Sequence, residues 1–393
     1  MTARYSTSSP GWNLVLSVGD LSHSSGYRTR VMEELQHLDT QCGLNPHLLL
    51  FDRKPENFSS VAGVDVPYRT QHRSSFYRVY PEIARLSRLA PVRLVHAHNL
   101  YSAALALAVR PLYGYRIVLD YHGRIPEEYV YLGKGGERSR RLLERLERWA
   151  VQRSDHVLVV SDRLSEYLQT THNVPPGKLT VIPCCTDSAL FRWNAELRAE
   201  TRQRLGMAEK LVCTHLGSFF EWYDPELLVR LFSQLLHQAP GRAHLLVITA
   251  EAEKARNFLE GKLPNDVFTL RTANHSDVPA LLNASDVGFL LLRSSPNIRT
   301  SSPVKFAEYL SCGLPVAITP DVGDYSELVQ QNGVGRVVGQ NQTLDQDFVN
   351  EILSNREAVA ERCCVAAASL TWTSVLPRWR AAISGTLASE GQP

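Results

Sequence analysis

A chain of 393 residues with 44% apolar and 21% charged residues is that of a folded protein, and it exceeds what one hydrophobic core usually serves, so two domains of ordinary size are expected. A formal net charge of only +2 excludes a nucleic-acid binder that works through bulk charge. No stretch reaches the roughly 18 apolar residues of a membrane span, and the opening MTARYSTSSPGWN lacks a basic segment followed by a long apolar run.

In chain order, short apolar runs at 13–18, 47–51, 94–97, 116–119 and 156–160 read as strands, separated by stretches of helical spacing. That alternation implies a parallel sheet with right-handed crossovers. Gly26 lies in the loop after the first strand, ahead of a helix expected to begin near Arg28. Between Arg69 and Arg93, Arg73, Arg78, Arg85 and Arg88 face the lone acid Glu82, interleaved with Phe76, Tyr77 and Tyr80. A second cluster, Arg138, Arg140, Arg141, Arg145 and Arg148, is offset in part by Glu137, Glu144 and Glu147. Both readings stay open: solvated helix faces, or a face of this half that touches an anionic bilayer or acceptor. The run at 181–183 closes the half, and 184–192 reads as a connector.

The alternation restarts at 211–216 and continues through 245–249, 267–270, 287–291, 315–319 and 335–338. The expected domains are 1–188 and 189–370, with a tail helix over 371–393 carrying Trp372, Val375, Leu376, Trp379 and Ile383 at helical spacing. Seven cysteines without CxxC pairs imply free thiols in a reducing compartment rather than disulfides or zinc. The expected location is therefore cytoplasmic, at most peripheral at the inner face of a membrane.

The most informative segment is SSPVKFAEYLSCGLPV, 301–316. It sets Lys305 and Glu308 one turn apart at the entry to a helix. A helix N-terminus offers unpaired N–H groups and partial positive charge to a diphosphate, Lys305 adds a full charge, and Glu308 on the same side accepts from vicinal hydroxyls. The alternative is an ordinary solvated i,i+3 pair.

This segment, with IPCCTD (182–187), LGSFFEWY (216–223), DVGFLLL (286–292) and VGD (322–324) in that order, resembles the retaining, nucleotide-sugar-dependent glycosyltransferases of family 4. The subset it looks most like works in polysaccharide or glycoconjugate assembly. The resemblance spans nearly the whole chain. It implies the GT-B fold, two doubly wound Rossmann-like α/β domains facing a cleft with a C-terminal helix crossing back, and a hexosyltransferase-like activity. It also implies that Glu308 binds the nucleotide ribose and Lys305 the diphosphate, assisted by backbone amides at Ser301 and Ser302. Gly26 would lie beside donor phosphate and acceptor. His122, in the string Asp120-Tyr121-His122-Gly123, would sit by the donor sugar as a catalytic group.

Two departures from the family's pattern bear on the donor. Thr300 stands where many members carry a sugar-contacting Glu, leaving that contact to Asn297 or nearby backbone. Gly217 is followed by Ser218 where members often carry Arg, so Arg293 or Arg299 would neutralise the diphosphate. The pair His96 and His98 faces one way on a strand without an evident third metal ligand, Glu221 reads as an exposed loop residue, and Asp345-Gln346-Asp347 reads as a helix cap. No metal or other cofactor is expected; the partners are a nucleotide sugar and a sugar, lipid-linked or small-molecule acceptor. Rival readings are a nucleotide-sugar epimerase or inverting transferase of the same fold, and a non-catalytic subunit.

Overall fold

The computed structural model describes residues 11–19, 21, 26–41, 45–55, 58 and 66–388. The chain divides into two compact units, Met1–Pro183 with Leu376–Pro393, and Cys184–Val375.

The first unit is built on seven parallel strands: β1 (Trp12–Val18), β2 (Asn45–Asp52), β3 (Tyr68–His72), β4 (Val92–His98), β5 (Arg116–Tyr121), β6 (His156–Val159) and β7 (Leu179–Val181). Their order is β3-β2-β1-β4-β5-β6-β7. Central strands such as β1 are covered on both faces, which is why they read as near-continuous apolar runs; Leu14, Val15 and Leu16 have no exposed surface. Val15 lies in register with Leu48 of β2 on one side and His96 of β4 on the other. The sheet therefore reverses its winding between β1 and β4, and a doubly wound sheet opens its ligand crevice at such a point.

β7 is a three-residue strand where only the closing run at 181–183 was expected, and β3 has no apolar run to mark it at all. Its sequence, YRTQH, is polar because it forms the sheet edge and stays largely exposed, pairing with β2 alone. Arg69 consequently lies on a strand rather than a helix face. The helix over 26–41 begins at Gly26 itself, two residues before the expected Arg28, and sets Val31 and Leu35 into the core. Glu147 also departs from expectation. It is fully buried and accepts hydrogen bonds from the Tyr121 and Tyr167 hydroxyls, with His172 Nε2 2.6 Å away, so it offsets none of the surface arginines around it. The tail from Leu376 belongs to this unit, with Trp379 completely buried and its ring 6.3 Å from that of His96.

The second unit carries six parallel strands: β8 (Leu211–Leu216), β9 (Ala243–Ile248), β10 (Phe268–Arg271), β11 (Val287–Leu290), β12 (Val316–Ile318) and β13 (Gly335–Val337), in the order β10-β9-β8-β11-β12-β13. Alternate residues of β9 enter opposite cores: Leu245 and Val247 pack with Leu231 and Phe232, Leu246 and Ile248 with Phe306 and Tyr309. The helix Pro225–Gln238 starts where the Asp224 carboxylate accepts the Leu227 N–H, with Pro at its first position. It buries Leu228, Leu231, Phe232 and Leu235, each worth about 1.5–3 kcal/mol of apolar transfer.

The connector joins the second unit at Cys184, because its backbone is bonded there. The Cys184 N–H donates to Ser302 Oγ at 2.9 Å, and the Thr186 N–H to the Leu370 carbonyl at 3.1 Å. Asp345 accepts the Phe348 N–H at 2.7 Å as a helix cap and pairs with Arg336, so the DxD-like string is a structural feature.

Candidate functional site

In the second unit, the winding reverses between β8 and β11, and the helix Val304–Ser311 lies at that point. Tyr309 holds it there. Its hydroxyl accepts the Leu216 N–H at 2.9 Å and donates to the Phe289 carbonyl at 3.4 Å, tying the helix to the ends of both strands. Lys305 and Glu308 share the face of Tyr309 by helical spacing and so are brought to the carboxyl end of β8.

Gly217, the first residue beyond β8, makes room for Lys305. Its φ is +119°, and a Cβ placed on it would come 3.3 Å from Lys305 Cε. The Lys305 ammonium has no hydrogen-bond or ion-pair partner among the described residues. Glu308 is 5% exposed, and its nearest ionisable neighbour of basic type is His275 Nε2 at 3.8 Å. A half-buried cation and a nearly buried carboxylate lie side by side with their charges unanswered.

Around this pair the remaining groups are occupied with one another. His215 Nε2 lies 2.9 Å from the Ser218 carbonyl; burial, helped by the Lys305 charge and opposed by this bond, lowers its pKa to about 4. The ring is therefore neutral and donates, pinning the Gly217-Ser218 turn. Glu251 accepts from the Phe219 N–H at 2.8 Å and from Ser218 Oγ at 3.0 Å, and these bonds hold its carboxyl below the ordinary range. Ser218 is thus part of the scaffold under Lys305.

The segment 300–302 departs from expectation in the same manner. Thr300 Oγ1 donates to the Asn297 carbonyl at 3.1 Å, and both the amide and the hydroxyl of Ser301 donate to the Ile298 carbonyl. Ser302 Oγ accepts from Cys184 and lies 2.6 Å from the Tyr325 hydroxyl. The Ser301 amide is consequently not available to a phosphate, and the three hydroxyls hold a turn. Arg293 is exposed and reaches the Phe220 carbonyl at 3.4 Å, while Arg299 shares an exposed ion pair with Asp321 at 3.6 Å. Glu221 is exposed as expected.

In the first unit, His122 follows β5 and stands at the edge of a buried charged network. Its Nε2 is 2.5 Å from Asp120 Oδ2. Arg30 grips the same carboxylate with two bonds of 2.7 Å, approaches Glu34 Oε1 at 3.3 Å, and donates to the Ile182 and Pro183 carbonyls. His98 bridges Glu34 and Asp120, at 3.4 and 3.2 Å, and His96 Nε2 reaches Glu34 at 3.1 Å. Burial opposes the Asp120 charge, but Arg30 and His122 outweigh it and hold the carboxyl well below its usual range. Burial and the Asp120 charge push the Glu34 carboxyl well above its usual range, against Arg30. His96 and His98 stack at 4.9 Å without solvent exposure, and burial keeps both rings on the neutral side.

Glu34, His96, His98 and Asp120 bring their ligand atoms within 4.8 Å of one another, a spacing that suits a metal ion. The Arg30 guanidinium already supplies the positive charge that these carboxylates face. Gly26 opens the helix that carries Arg30 and Glu34. Sequence reasoning overlooked Arg30, Glu34 and Asp120, although Arg30 and Glu34 are spaced i,i+4 and Asp120 stands in the string that flagged His122. It also overlooked Tyr309 and His215, whose roles depend on contacts 93 and 3 residues away in the chain.

Residues 25–190 match the family model described as Glycosyltransferase Family 4, and residues 198–363 that described as Glycosyl transferases group 1. Among curated proteins, the chain is 25% identical over 181 residues to TuaH of Bacillus subtilis (strain 168), provisionally named a teichuronic acid biosynthesis glycosyltransferase. That match spans 46% of this chain and 44% of the relative, less than half the length of either. Similar solved structures include Anabaena Alr3699/HepE in complex with UDP (TM-score 0.71, 15% identity, 96% of this chain and 100% of that one). The sucrose-phosphate synthase of Thermosynechococcus elongatus is comparable (TM-score 0.71, 17% identity, 97% and 100%). These likenesses carry the fold, the two family models between them take in most of the sequence, and the chain belongs to the family-4-like glycosyltransferases of the GT-B fold.

Proposed function

We propose that this glycosyltransferase moves a sugar from a nucleoside diphosphate sugar to an acceptor hydroxyl with retention of anomeric configuration, in the assembly of a polysaccharide or glycoconjugate. The observation that carries the reading is the unanswered pair Lys305 and Glu308 beside Gly217, at the switch point of the six-stranded sheet. Glu308 accepts from the ribose hydroxyls, and Lys305 lies against the diphosphate. As the glycosidic bond breaks, charge grows on the leaving diphosphate, and a cation fixed in advance stabilises that transition state more than the ground state. The reading requires no metal, because Lys305 and the start of its helix supply the positive charge. It needs no protein nucleophile either: the acceptor attacks on the leaving-group face and a donor phosphate oxygen takes its proton. UDP and UDP-glucose are bound by HepE, which supports a uridine nucleotide sugar as the first donor to test.

Thermal melting of the full chain against a panel of nucleotide sugars tests the donor, since a ligand that binds only the folded state raises the melting temperature with its affinity. A panel that leaves the melting temperature unmoved counts against donor binding. An acceptor that is lipid-linked would bring the protein to the inner face of a membrane. No helix among the described residues is long and apolar enough to cross one, so that contact would be peripheral.

One observation favours a second reading. In the His122–Asp120 pair, Nε2 lies 2.5 Å from a carboxylate held ionised, the partner that orients an imidazole when it serves as the base of an inverting transferase. The anomer of the first-formed product, read by NMR, separates the two: an inverted product replaces the retaining mechanism with this one.

A further inference from the structure

At the carboxyl ends of β1 and β2 the first unit has a cavity of about 530 Å³, within the roughly 300–1,000 Å³ typical of small-ligand sites. Arg53, Arg73 and Lys134 lie on its rim, and Phe76, Tyr101 and Tyr129 form aromatic walls. None of the three cations has a hydrogen-bond or ion-pair partner among the described residues. The one carboxylate in the lining, Asp52, is buried and turned to backbone, accepting the Leu21 N–H at 3.2 Å and the Lys54 N–H at 3.1 Å.

Local structure converges on this arrangement from separate elements. Arg53 follows directly on β2, and Arg73 on β3, where His72 caps the 3₁₀ turn that carries Phe76. Lys134 is placed by the end of the helix Ile125–Tyr131. Gly133 takes φ +65° and donates to the Val130 carbonyl at 2.9 Å, while the Lys134 N–H donates to the Tyr129 carbonyl at 3.0 Å. This paired closure returns Lys134 toward Tyr129. The basic, aromatic stretch around 69–93 therefore sorts into two sets. Arg69 and Arg85 are paired with Glu82, and Arg78 with Gln71; Arg73 is the member that turns to the cavity.

Three exposed cations without partners give the mouth of this aromatic-walled cavity a net positive potential, which favours a ligand that carries negative charge. Guanidinium groups fit phosphate and carboxylate oxygens bidentately, and aromatic walls suit the apolar face of a sugar ring. We propose that this cavity binds a phosphate or carboxylate group, and that the glycosyl acceptor is the molecule carrying it. The second clause rests on the transferase reading above; the first does not.

The anion has two sources, a soluble sugar acid or sugar phosphate, and a lipid headgroup. Titration calorimetry of the full chain with glucose 6-phosphate, glucuronic acid and glucose reads the first, and flotation with phosphatidylcholine vesicles, with and without phosphatidylglycerol, reads the second. At low salt at least one anionic probe binds at least about tenfold more tightly than its neutral counterpart, and the variant Arg53→Gln/Arg73→Gln/Lys134→Gln loses that margin. The same variant keeps the melting shift produced by UDP-glucose. Equal binding of charged and neutral probes, or a preference that survives in the triple variant, overturns the site. A wild-type protein whose melting ignores every nucleotide sugar counts against the transferase reading and not against the anion site.

Discussion

The two units present opposite solutions at the carboxyl ends of their strands. In the first, Arg30 holds Asp120 through two hydrogen bonds, and Glu34, His96, His98 and His122 crowd within 3.4 Å of this pair or of one another. In the second, Lys305 and Glu308 share a helix face, and the carboxylate has only a histidine at 3.8 Å. Buried ionisable groups cost several kcal/mol unless they are paired, so in the first arrangement the Asp120 charge is met by Arg30 inside the fold. The second is what a fold does with charges left for something else. Titratable residues in a crevice are therefore not equivalent evidence of function; the informative ones are those the protein leaves without partners.

The largest expected effect breaks the first network. Arg30→Met leaves the Asp120 carboxylate buried without its cation and is expected to cost about 3–5 kcal/mol in urea unfolding. A loss below about 1 kcal/mol would mean that water or rearranged neighbours already answer that charge, and the contrast between the units would fail.

Proton uptake probes both units together. Burial sets the rings of His215, in the second unit, and His47, in the first, at about 4, against an ordinary value of 6.5. Between these values the unfolded chain binds protons that the folded chain refuses. The stability these rings contribute is thus intact above pH 6.5 and is lost as the pH falls toward 4, on the order of 3 kcal/mol for each. Unfolding free energies measured across that window should fall with acid; His215→Gln and His47→Gln should each flatten the slope. A slope unchanged by both would show that neither ring titrates as its burial implies.

Next come the two groups left open. Lys305→Ala is expected to lower kcat about 100-fold, because a fixed cation on the leaving diphosphate acts mainly in the transition state. Glu308→Ala is expected to weaken nucleotide-sugar binding by about tenfold, the worth of a charge-assisted hydrogen bond. Neither should lower the melting temperature by more than a few degrees, since Lys305 has no partner among the described residues and Glu308 only a histidine at 3.8 Å. A collapse of stability in either variant would place that residue in the scaffold with His215 and Glu251.

Much of this was legible in the sequence, for identifiable reasons. Strands buried on two faces announce themselves as apolar runs, so both sheets were visible apart from the edge strands of the first, the three-residue β7 and β3, whose edge position permits YRTQH. Lys305 and Glu308 were visible because a helix brings i and i+3 together without help from the rest of the fold. The network at Asp120 was not, because Arg30 reaches it across 90 residues of chain, and no local spacing encodes that approach. Thr300, Ser301 and Ser302 misled for the converse reason. Residue type alone shows a hydroxyl, while its direction is decided by the carbonyls of Asn297 and Ile298, the amide of Cys184 and the hydroxyl of Tyr325.

The smallest expected effect gives the comparison its sharpest control. Arg299 stands near the same segment as Lys305 and carries the same charge, but it is exposed and shared with Asp321 at 3.6 Å. If proximity in sequence and sign of charge were what mattered, Arg299→Ala and Lys305→Ala would behave alike. If the absence of a partner is what marks a ligand-binding group, Arg299→Ala should alter stability by less than about 0.5 kcal/mol, as exposed pairs do, and leave nucleotide-sugar affinity within about twofold. An affinity loss at Arg299 comparable to that at Glu308 would show that the ion pair with Asp321 opens when the donor arrives, and would extend the diphosphate site beyond the helix that carries Lys305.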